Sequence, residues 1–581
     1  MDTRTWSIPT SPRSPIKLVS HISLLKKFEG RKWNTDTQKE YASKLVKTEG
    51  FEGEGYSAEM AFSARDIVNR APKTFGFVRA DSKTPIIITS AGKRLIEGKQ
   101  LDDLFLRQLL KWQYPSAKHS EQIYKERFLI KPFLETLRLI RELDGLSKLE
   151  IAIFAVPFIK YYEYEIIKKE VINYRRELSL LKGVERKKFQ TQYHLNKMKK
   201  IYAEEISSGH LHLREAGGVE ADILDYLKTK RRNTIDYADA AIRYFRMTNL
   251  FVISSHVYKL GISEDKVKIV DDILNTIPRE PMSFDDEEKF FEYLEDPNTP
   301  KLLTDNPGGL KTQIHEMVQI LKGLNDKSAL DISSKLEKEN DTAGLKMILA
   351  DAERIILKIK QKRQIDILQS YSEYDDIQSV FDQLIARDSD IPDKPLFFEW
   401  NTWRALSMLD DGEIVGNLEQ DIEGMPVRLA LGGFPDIVCY YKDFVLVVEV
   451  TLTSGRRQYE AEQEPVSRHV GDVIKQLKEK GDMRNVFGLF LAPVINEASI
   501  AHFYTTRRIE VSYYGGKVKV IPLSIVEFRQ MLEKAKQAGG VKSGHIQRFI
   551  ENADEYADNS GNEQEWFKYI KDLSKDWVDA K

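Results

Sequence analysis

The sequence contains a single cysteine, Cys439, among its 581 residues. An intrachain disulfide and a cysteine-based metal cluster are therefore both excluded, which fits a reducing cytoplasm. Long apolar runs are also missing: the longest, Ile151–Ile159 and Phe444–Val450, are far shorter than the roughly 20 residues of a membrane span. No apolar stretch of a secretory signal follows Met1 to Trp6. We therefore expect a soluble cytoplasmic protein with no membrane partner.

A large net charge is absent too, because 88 Lys and Arg nearly balance 90 Asp and Glu and leave −2. The balance conceals an asymmetry along the chain. Residues 1–250 contain 46 basic and 32 acidic side chains, whereas residues 251–581 contain 42 and 58. Such a split is typical of a chain whose first half binds a polyanion, although a charge gradient without function would look the same.

Composition divides the chain into four regions. A content of 41% apolar and 31% charged residues predicts globular structure, and the chain is too long for one core. We predict a multidomain α+β protein with regions 1–140, 141–300, 301–388 and 389–581. The first two would be helical with winged-helix-like DNA-binding units, the third a helical linker, and the fourth an α/β domain.

The order of elements in the first region resembles a winged helix. Ala58–Arg70 has the apolar spacing of a helix, which Pro72 should end. Two short strands, Phe75–Arg79 and Ile86–Thr89, then flank a turn. A further helix begins at Ser90. Helix, strand, turn and strand with basic residues throughout predict a DNA-binding unit.

The second region repeats this pattern loosely. A short helix follows Gly145, and a longer basic helix covers Arg231–Phe245. The strands Leu250–Ser254 and Val257–Leu260 would complete a second wing around a turn. Residues 301–388, in contrast, keep apolar residues at helical spacing without sustained heptads, which favours a helical connector over a coiled-coil arm.

Basic side chains near the predicted recognition helices and wings are candidates for contact with DNA. A helix in the major groove would present Arg or Lys to base edges and phosphates; a solvated helix face is the alternative. The DNA-binding candidates are Arg13, Arg65, Arg70, Lys73, Arg243 and Arg246.

The fourth region contains an acidic residue, Glu449, inside an otherwise apolar strand-like run. Asp436 precedes the strand-like run at Ile437–Tyr440, and the next strand, Phe444–Val450, is apolar except for Glu449. An ionised carboxylate in such a run would be very unfavourable without a partner. A divalent cation shared with Asp436 is the partner that suits it best. Mg²⁺ prefers oxygen ligands, and Mn²⁺ is its expected substitute. Such a metal can polarise a phosphodiester and activate water.

The spacing of these acids resembles the PD-(D/E)xK nuclease core, with Thr451 at the position of the lysine. Further polar residues near the core are Glu399, upstream in the run FEW, Glu462, Glu464 and His469. Glu399 would be a third metal ligand, and Glu462 and His469 would join Asp436 and Glu449 as catalytic residues. The alternative is that these acids lie on the surface and that His469 faces solvent.

Several stretches of the chain are similar to the AlwI-like type IIS restriction enzymes, a group that includes the GAGTC-recognising nicking endonucleases. They are SPRSP from Ser11, AFSARD from Ala61, KWQYPS from Lys111, GLSKL from Gly145, RYFR from Arg243, FEW from Phe398, FPDIVCYYKDFVLVVEVT from Phe434 and EPVSRH from Glu464. Their order is far more specific than any one of them. The resemblance runs from about residue 11 to about residue 525 and is weaker after that.

The resemblance implies a prokaryotic enzyme that binds a short asymmetric DNA sequence and cuts a few base pairs to one side with Mg²⁺. It assigns Asp436 and Glu449 to the metal-binding acids, Glu399 to the upstream helix acid, and Glu462 and His469 to the acid and histidine around the EP dipeptide. The family also lacks the lysine at the position of Thr451. Expected partners are duplex DNA, a companion DNA methyltransferase, and a second copy or small catalytic subunit for double-strand cleavage.

Two functions from different classes follow. The first is a site-specific endonuclease, either a double-strand cutter or a nickase. The alternative is a DNA-binding regulator with an inactive nuclease-like domain, which the missing lysine would suit. The retained acids Glu399, Asp436 and Glu449 favour the enzyme.

Overall fold

A computed structural model of the protein describes residues 4–12, 14–45, 60–81, 84–117, 122–209, 211, 222–254, 258–386, 389–409, 412–421, 423–429 and 434–579. The chain forms two compact units, unit 1 (Met1–Ile356) and unit 2 (Leu357–Lys581). It is a mixed α+β protein in which helices predominate. The finer division into four regions remains a prediction. No helix among the described residues is long and apolar enough to cross a membrane.

Unit 1 is built mainly from helices, which surround two small antiparallel sheets. Its described helices are α1 (Leu18–Lys26), α2 (Thr35–Leu45), α3 (Met60–Asn69), α4 (Ala71–Thr74), α5 (Ser90–Glu97), α6 (Leu101–Lys111), α7 (Gln122–Arg127), α8 (Pro132–Glu142), α9 (Lys148–Glu150), α10 (Tyr164–Ser179), α11 (Gly183–Ile201), α12 (Ala203–Ser208), α13 (Ile223–Arg246), α14 (Val267–Thr276), α15 (Glu287–Glu295), α16 (Pro307–Gly323) and α17 (Ser328–Lys338). Its described strands are β1 (Val78–Arg79), β2 (Ile87–Ile88), β3 (Leu146–Ser147), β4 (Phe251–Ile253) and β5 (Lys259–Ile262).

The two small sheets lie where the sequence predicts wings. Strands β1 and β2 pair antiparallel. In the sequence they follow the helices α3 and α4 and precede the helix α5. Strand β5 pairs with both β3 and β4, also antiparallel. The predicted helix–strand–strand–helix order is therefore confirmed in the first region. In the second, the helix after Gly145 is preceded by β3 and continues as a π-helix over Ile151–Ala155.

The core of unit 1 is aromatic and crosses the predicted boundary at residue 140. The ring of Tyr244 on α13 lies 5.0 Å from that of Phe75 and 6.4 Å from that of Phe105 on α6. Phe245 likewise contacts Phe133 on α8, 4.9 Å between centroids. The last turns of α13 are thus part of the same packed interior as the first region.

Helix α18 (Thr342–Gln369) crosses the boundary between the units, and α19 (Tyr374–Ile385) follows it. Residues 301–388 are mostly helical, as their apolar spacing predicts. The sequence predicts one buried apolar stripe on α18, made of Leu345, Ile348, Leu349, Ile355, Ile356 and Ile359. Leu345, Ile348 and Ile356 are buried, whereas the other three are half-buried.

Unit 2 combines a mixed sheet with helices. Its further described helices are α20 (Lys394–Leu409), α21 (Arg456–Glu479), α22 (Glu497–Thr506), α23 (Ile525–Gln537), α24 (Ser543–Asn559) and α25 (Glu563–Lys575). Its described strands are β6 (Glu413–Gly416), β7 (Leu418–Gln420), β8 (Pro426–Leu429), β9 (Ile437–Tyr440), β10 (Phe444–Val450), β11 (Asn485–Ala492) and β12 (Val520–Ser524).

The main sheet of unit 2 has the order β12-β11-β10-β9-β6. Strand β10 pairs parallel with β11 and antiparallel with β9, so it is central and its apolar side chains are buried. The run FVLVVEV is a strand, as predicted. The apolar runs Ile509–Tyr513 and Val518–Pro522 on either side of Gly515–Gly516 predict a hairpin, and the structure has only an isolated antiparallel bridge between Val511 and Gly516 at this turn among its described residues. Residues Ser512–Tyr514 form a 3₁₀ turn, and β12 pairs parallel with β11 instead.

Candidate active site

Asp436 and Glu449 lie next to each other because β9 and β10 are antiparallel neighbours. Val448 on β10 is opposite Ile437 on β9. Because the strands are antiparallel, Glu449, one residue after Val448, faces Asp436, one residue before Ile437. The backbone N–H of Val450 donates a hydrogen bond to Asp436 Oδ2, at 2.8 Å. Glu449 is 7% exposed. The local sequence thus brings two carboxyl groups together at the end of a buried strand pair.

Helix α21 supplies the other side of the site. The sequence predicts a helix over Val466–Lys480, directly after Pro465. The helix instead begins at Arg456 and includes Pro465 in its interior. Glu462 and His469 are seven residues apart, which is two helical turns, and therefore lie on one face of the helix. His469 Nδ1 and Glu449 Oε1 share a hydrogen bond of 2.8 Å.

Thr451, one residue beyond β10, connects the strand to Glu462. Its hydroxyl donates a hydrogen bond to Glu462 Oε1 at 2.8 Å and accepts one from the N–H of Thr453 at 3.0 Å. From the sequence, Thr451 is only the position at which the usual lysine is missing. Its role as a hydrogen-bond donor to Glu462 depends on where α21 begins, so the motif alone could not reveal it.

Burial and mutual repulsion of the carboxylates in this cluster favour the binding of protons or of a cation. Burial raises the pKa of the Asp436 carboxyl well above its ordinary value, and the neighbouring Glu449 charge raises it further. Burial also raises the pKa of Glu449 well above its ordinary value, with Glu462 adding to the shift. The Arg468 charge on α21 acts in the opposite direction on Glu449. Two buried carboxylates that repel each other form a site in which positive charge is stabilised.

The residues present fit a divalent cation with few protein ligands. Mg²⁺ is usually held by one or two carboxylates, with water and substrate oxygens completing its shell. Asp436 and Glu449 would supply those two carboxylates. Within the described ranges, no set of three or more His, Cys, Asp or Glu side chains has the arrangement of a metal cage. A site of this kind would therefore depend on water and phosphate for its remaining ligands.

Glu399 lies on α20, a helix that packs against β10. Its side chain is only 7% exposed, so it is not the surface acid of the alternative interpretation. The described hydrogen bonds connect Glu449 with His469 and Glu462 with Thr451, and Glu399 is not part of these pairs. Its role as a third metal ligand remains a prediction. Glu464, by contrast, is exposed on α21 and forms an ion pair of 3.3 Å with Arg468.

The DNA-binding candidates of the first region differ in exposure. Arg13 lies outside the described residues. Arg65 is exposed on α3, with its guanidinium 5.4 Å from the ring of Phe62. Arg70 forms an ion pair of 2.7 Å with Asp66. Lys73 on α4 is half-buried, and burial lowers its pKa.

The two candidates on α13 are not both at the surface. Arg246 is 1% exposed, in the last turn of a helix whose neighbouring residues Tyr244 and Phe245 belong to the aromatic core. The guanidinium of Arg246 is thus covered by protein, and its contact with DNA stays a prediction that this burial disfavours. Arg243 exposes 9% of its side chain and pairs with Asp239 at 3.0 Å, which leaves little of it for a phosphate.

Metal-free protein should become less stable as pH rises above about 4, the ordinary carboxyl range. Asp436 and Glu449 have raised pKa values in the folded state, so the native protein binds more protons than the unfolded chain between the ordinary and the raised values. The free energy of unfolding contributed by this pair therefore falls as pH rises through that window. Denaturant unfolding of unit 2 in EDTA across this range measures the effect.

Asp436→Asn is the matched control, because it removes one of the two charges and should flatten the decline. Added Mg²⁺ should stabilise the native protein at pH 8 but not at pH 5, where protons compete for the same oxygens. A wild-type decline that Asp436→Asn leaves unchanged would exclude this pair as its source.

Comparisons with known proteins place the chain in a family. The family described as AlwI restriction endonuclease matches residues 73–531. No curated protein matches the chain. Among solved structures, the small subunit (R.BspD6I2) of the heterodimeric restriction endonuclease R.BspD6I is 24% identical, with a TM-score of 0.27 over 36% of this chain and 97% of that one. The BpuJ1 endonuclease binding domain, solved with pyrene- and phenanthrene-modified DNA, is 14% identical, with a TM-score of 0.33 over 51% and 96%. Since the family match covers most of its length, this chain belongs to the AlwI restriction endonuclease family.

Proposed function

We propose that this protein is a type IIS restriction endonuclease or a strand-specific nicking endonuclease. It binds a short asymmetric duplex sequence through winged-helix-like units in residues 1–300 and hydrolyses a phosphodiester outside that sequence. A PD-(D/E)xK-type core in residues 389–581 carries out the cleavage with Mg²⁺. The observation that supports this most directly is the cluster of Asp436, Glu449, Glu462 and His469 at the end of β10. His469 and Glu449 share a hydrogen bond, while Asp436 and Glu462 accept hydrogen bonds from the Val450 N–H and the Thr451 hydroxyl.

Each residue of the cluster has a distinct task in this proposal. Asp436 and Glu449 hold the metal ion, which when bound polarises the scissile phosphate and activates a water molecule. His469 fixes the orientation of the Glu449 carboxylate through their 2.8 Å hydrogen bond. Glu462, which lies on α21, accepts the proton of the attacking water. Thr451 orients Glu462.

One cluster per chain cuts one strand in each encounter. A double-strand break therefore requires a second copy of this chain or a small catalytic subunit. A companion DNA methyltransferase would protect the host genome from such an enzyme. The basic N-terminal half and the acidic C-terminal half suit separate tasks, since phosphates are bound by Lys and Arg and cations by carboxylates.

Incubation of the purified protein with plasmid DNA and Mg²⁺ tests the proposal, with breaks mapped on both strands by run-off sequencing. We expect breaks at one fixed offset from a short shared sequence, and the number of strands broken separates a nickase from a double-strand cutter. Wild-type protein in EDTA is the control. Sequence-specific binding without breaks in Mg²⁺ or Mn²⁺ would contradict the nuclease and support a DNA-binding regulator.

Thr451→Val should lower kcat for cleavage by roughly 10- to 100-fold, because it keeps the side-chain shape and removes the hydrogen bond that orients Glu462. The KM for DNA should change little, since in this proposal Thr451 is a positioning residue that acts through Glu462. Single-turnover cleavage of a mapped duplex measures both quantities. Thr451→Ser retains the hydroxyl and should restore most of the rate. Equal rates for the valine and serine variants would contradict the role of the hydroxyl.

A further inference from the structure

Helix α11 (Gly183–Ile201) has an unusual excess of positive charge. Its sequence, GVERKKFQTQYHLNKMKKI, contains six basic residues and one acidic residue, Glu185. Lys187, Lys188, Lys199 and Lys200 are all exposed. Within the described part of the chain, these four side chains form no ion pair. We refer to them as the α11 lysines.

The helix is held firmly in place by its other faces. His194 is fully buried, and its Nε2 and the hydroxyl of Thr234 on α13 share a hydrogen bond of 2.9 Å. Met198 belongs to a small apolar core that includes Tyr202 and Tyr226. On another side, Tyr193 packs against Tyr174 of α10, 4.9 Å between ring centroids. The α11 lysines therefore project from a helix whose position is fixed by packing, which reduces the entropy lost when they bind a ligand.

The spacing of the lysines suits an extended anionic ligand. Lys188 and Lys199 are eleven residues apart, which is close to three full turns, so they lie on one face of the helix about 16 Å apart along its axis. One strand of duplex DNA carries a phosphate about every 3.4 Å, so this face matches roughly five phosphates. Lys197, in contrast, is half-buried and pairs with Glu170 of α10.

We propose that the α11 lysines form a further contact with the phosphate backbone of duplex DNA, in addition to the recognition helices and wings. This inference rests on the proposed function and adds to it a surface that strengthens DNA binding without reading sequence. Lysine contacts with phosphates release counterions, so their contribution depends steeply on salt and is the same for every DNA sequence. The surface would hold duplex DNA while the recognition units find their site.

The variant Lys187→Gln/Lys188→Gln/Lys199→Gln/Lys200→Gln tests the inference. A mixed-sequence duplex of 40 base pairs is the probe, and its affinity is measured by fluorescence anisotropy from 50 to 300 mM NaCl. The control changes Lys322, Lys327, Lys335 and Lys338 to glutamine. These lysines are also exposed, in or beside α16 and α17, so the change in net charge is the same. We expect the plot of log affinity against log salt to flatten by about 3 to 4 in the α11 variant, roughly 0.9 for each of four lost phosphate contacts, and not in the control.

An unchanged slope in the α11 variant, or an equal loss in both variants, would overturn the inference. The pair Lys188→Gln/Lys199→Gln should flatten the slope by about half as much, and it provides the same test if the fourfold variant melts early. Plasmid cleavage at low salt separates the two proposals. Wild-type cleavage with unchanged slopes leaves the nuclease in place and removes the α11 contact. A flattened slope in a protein that never cuts DNA supports the α11 contact and contradicts the nuclease.

Discussion

Glu449→Gln should reduce strand cleavage by at least roughly a thousandfold while specific DNA binding is retained. The substitution keeps the size of the side chain and removes the negative charge, so the central strand β10 should still fold. What is lost is one of the two carboxylates that would hold Mg²⁺, together with the ionised partner of His469. Single-turnover cleavage and gel-shift titration of the same duplex measure the two effects separately.

Glu464→Gln is the matched control, since Glu464 is exposed on α21 and forms an ion pair of 3.3 Å with Arg468. We expect its cleavage rate to stay within about twofold of wild type, because an exposed ion pair contributes little. If Glu449→Gln abolishes binding as well as cleavage, the separation between a DNA-reading half and a cutting half is contradicted. If it cuts at the wild-type rate, the assignment of the site is wrong.

Arg507→Met should destabilise unit 2 by about 1.5–3 kcal/mol, because it removes the hydrogen bonds of a buried guanidinium to Asp554. The Asp554 carboxylate then keeps one cationic partner, Lys519, at 2.7 Å. Arg507 follows α22 and exposes only 4% of its side chain. Its Nε donates to Asp554 Oδ1 at 2.8 Å, and its Nη2 donates to the Asp554 carbonyl at 2.6 Å. Asp554, on α24, is itself 8% exposed. The methionine fills a similar space, so the loss comes from charge and hydrogen bonds.

The double variant Arg507→Met/Asp554→Leu distinguishes this cause from poor packing. Removal of both charged groups should recover a large part of the lost stability, as measured by denaturant unfolding of the unit 2 transition. Lys575→Met removes one member of the exposed pair with Asp572 and should leave the transition unchanged. If the double variant is as unstable as the single one, the lost contacts between Arg507 and Asp554 are not the cause.

The strand pair and its acids could be predicted from local sequence, because their signal is local. The run Phe444–Val450 is apolar except for Glu449, which predicts both a buried strand and an unusual acid within it. Asp436 is found in the same way, because it directly precedes the neighbouring strand-like run. The start of α21 could not be predicted this way. Proline is common in the first turn of a helix, so Pro465 favoured a later start. The side chain of Gln458 donates to the carbonyls of Thr453 and Val494 and stabilises the earlier turns, and this depends on tertiary structure.

The sequence pattern likewise could not predict which charged residues are buried. A basic helix such as α13 has the same composition whether its arginines face solvent or protein. Arg246 became part of the interior because Tyr244 and Phe245 beside it pack into the aromatic core. The predicted hairpin near residue 515 failed for a related reason: β12 gains more by extending the main sheet beside β11 than by pairing with its sequence neighbour. Which strand pairs with which is decided by the whole sheet.

Binding of Mn²⁺, counted by the loss of the free-ion electron paramagnetic resonance signal, tests most directly whether Asp436 and Glu449 hold a catalytic metal. The account predicts that the wild-type protein with duplex DNA binds at least one more Mn²⁺ per chain than Asp436→Asn does. Cleavage should disappear in the same variant. Equal Mn²⁺ binding by the two proteins, or wild-type cleavage that persists in EDTA, would contradict it.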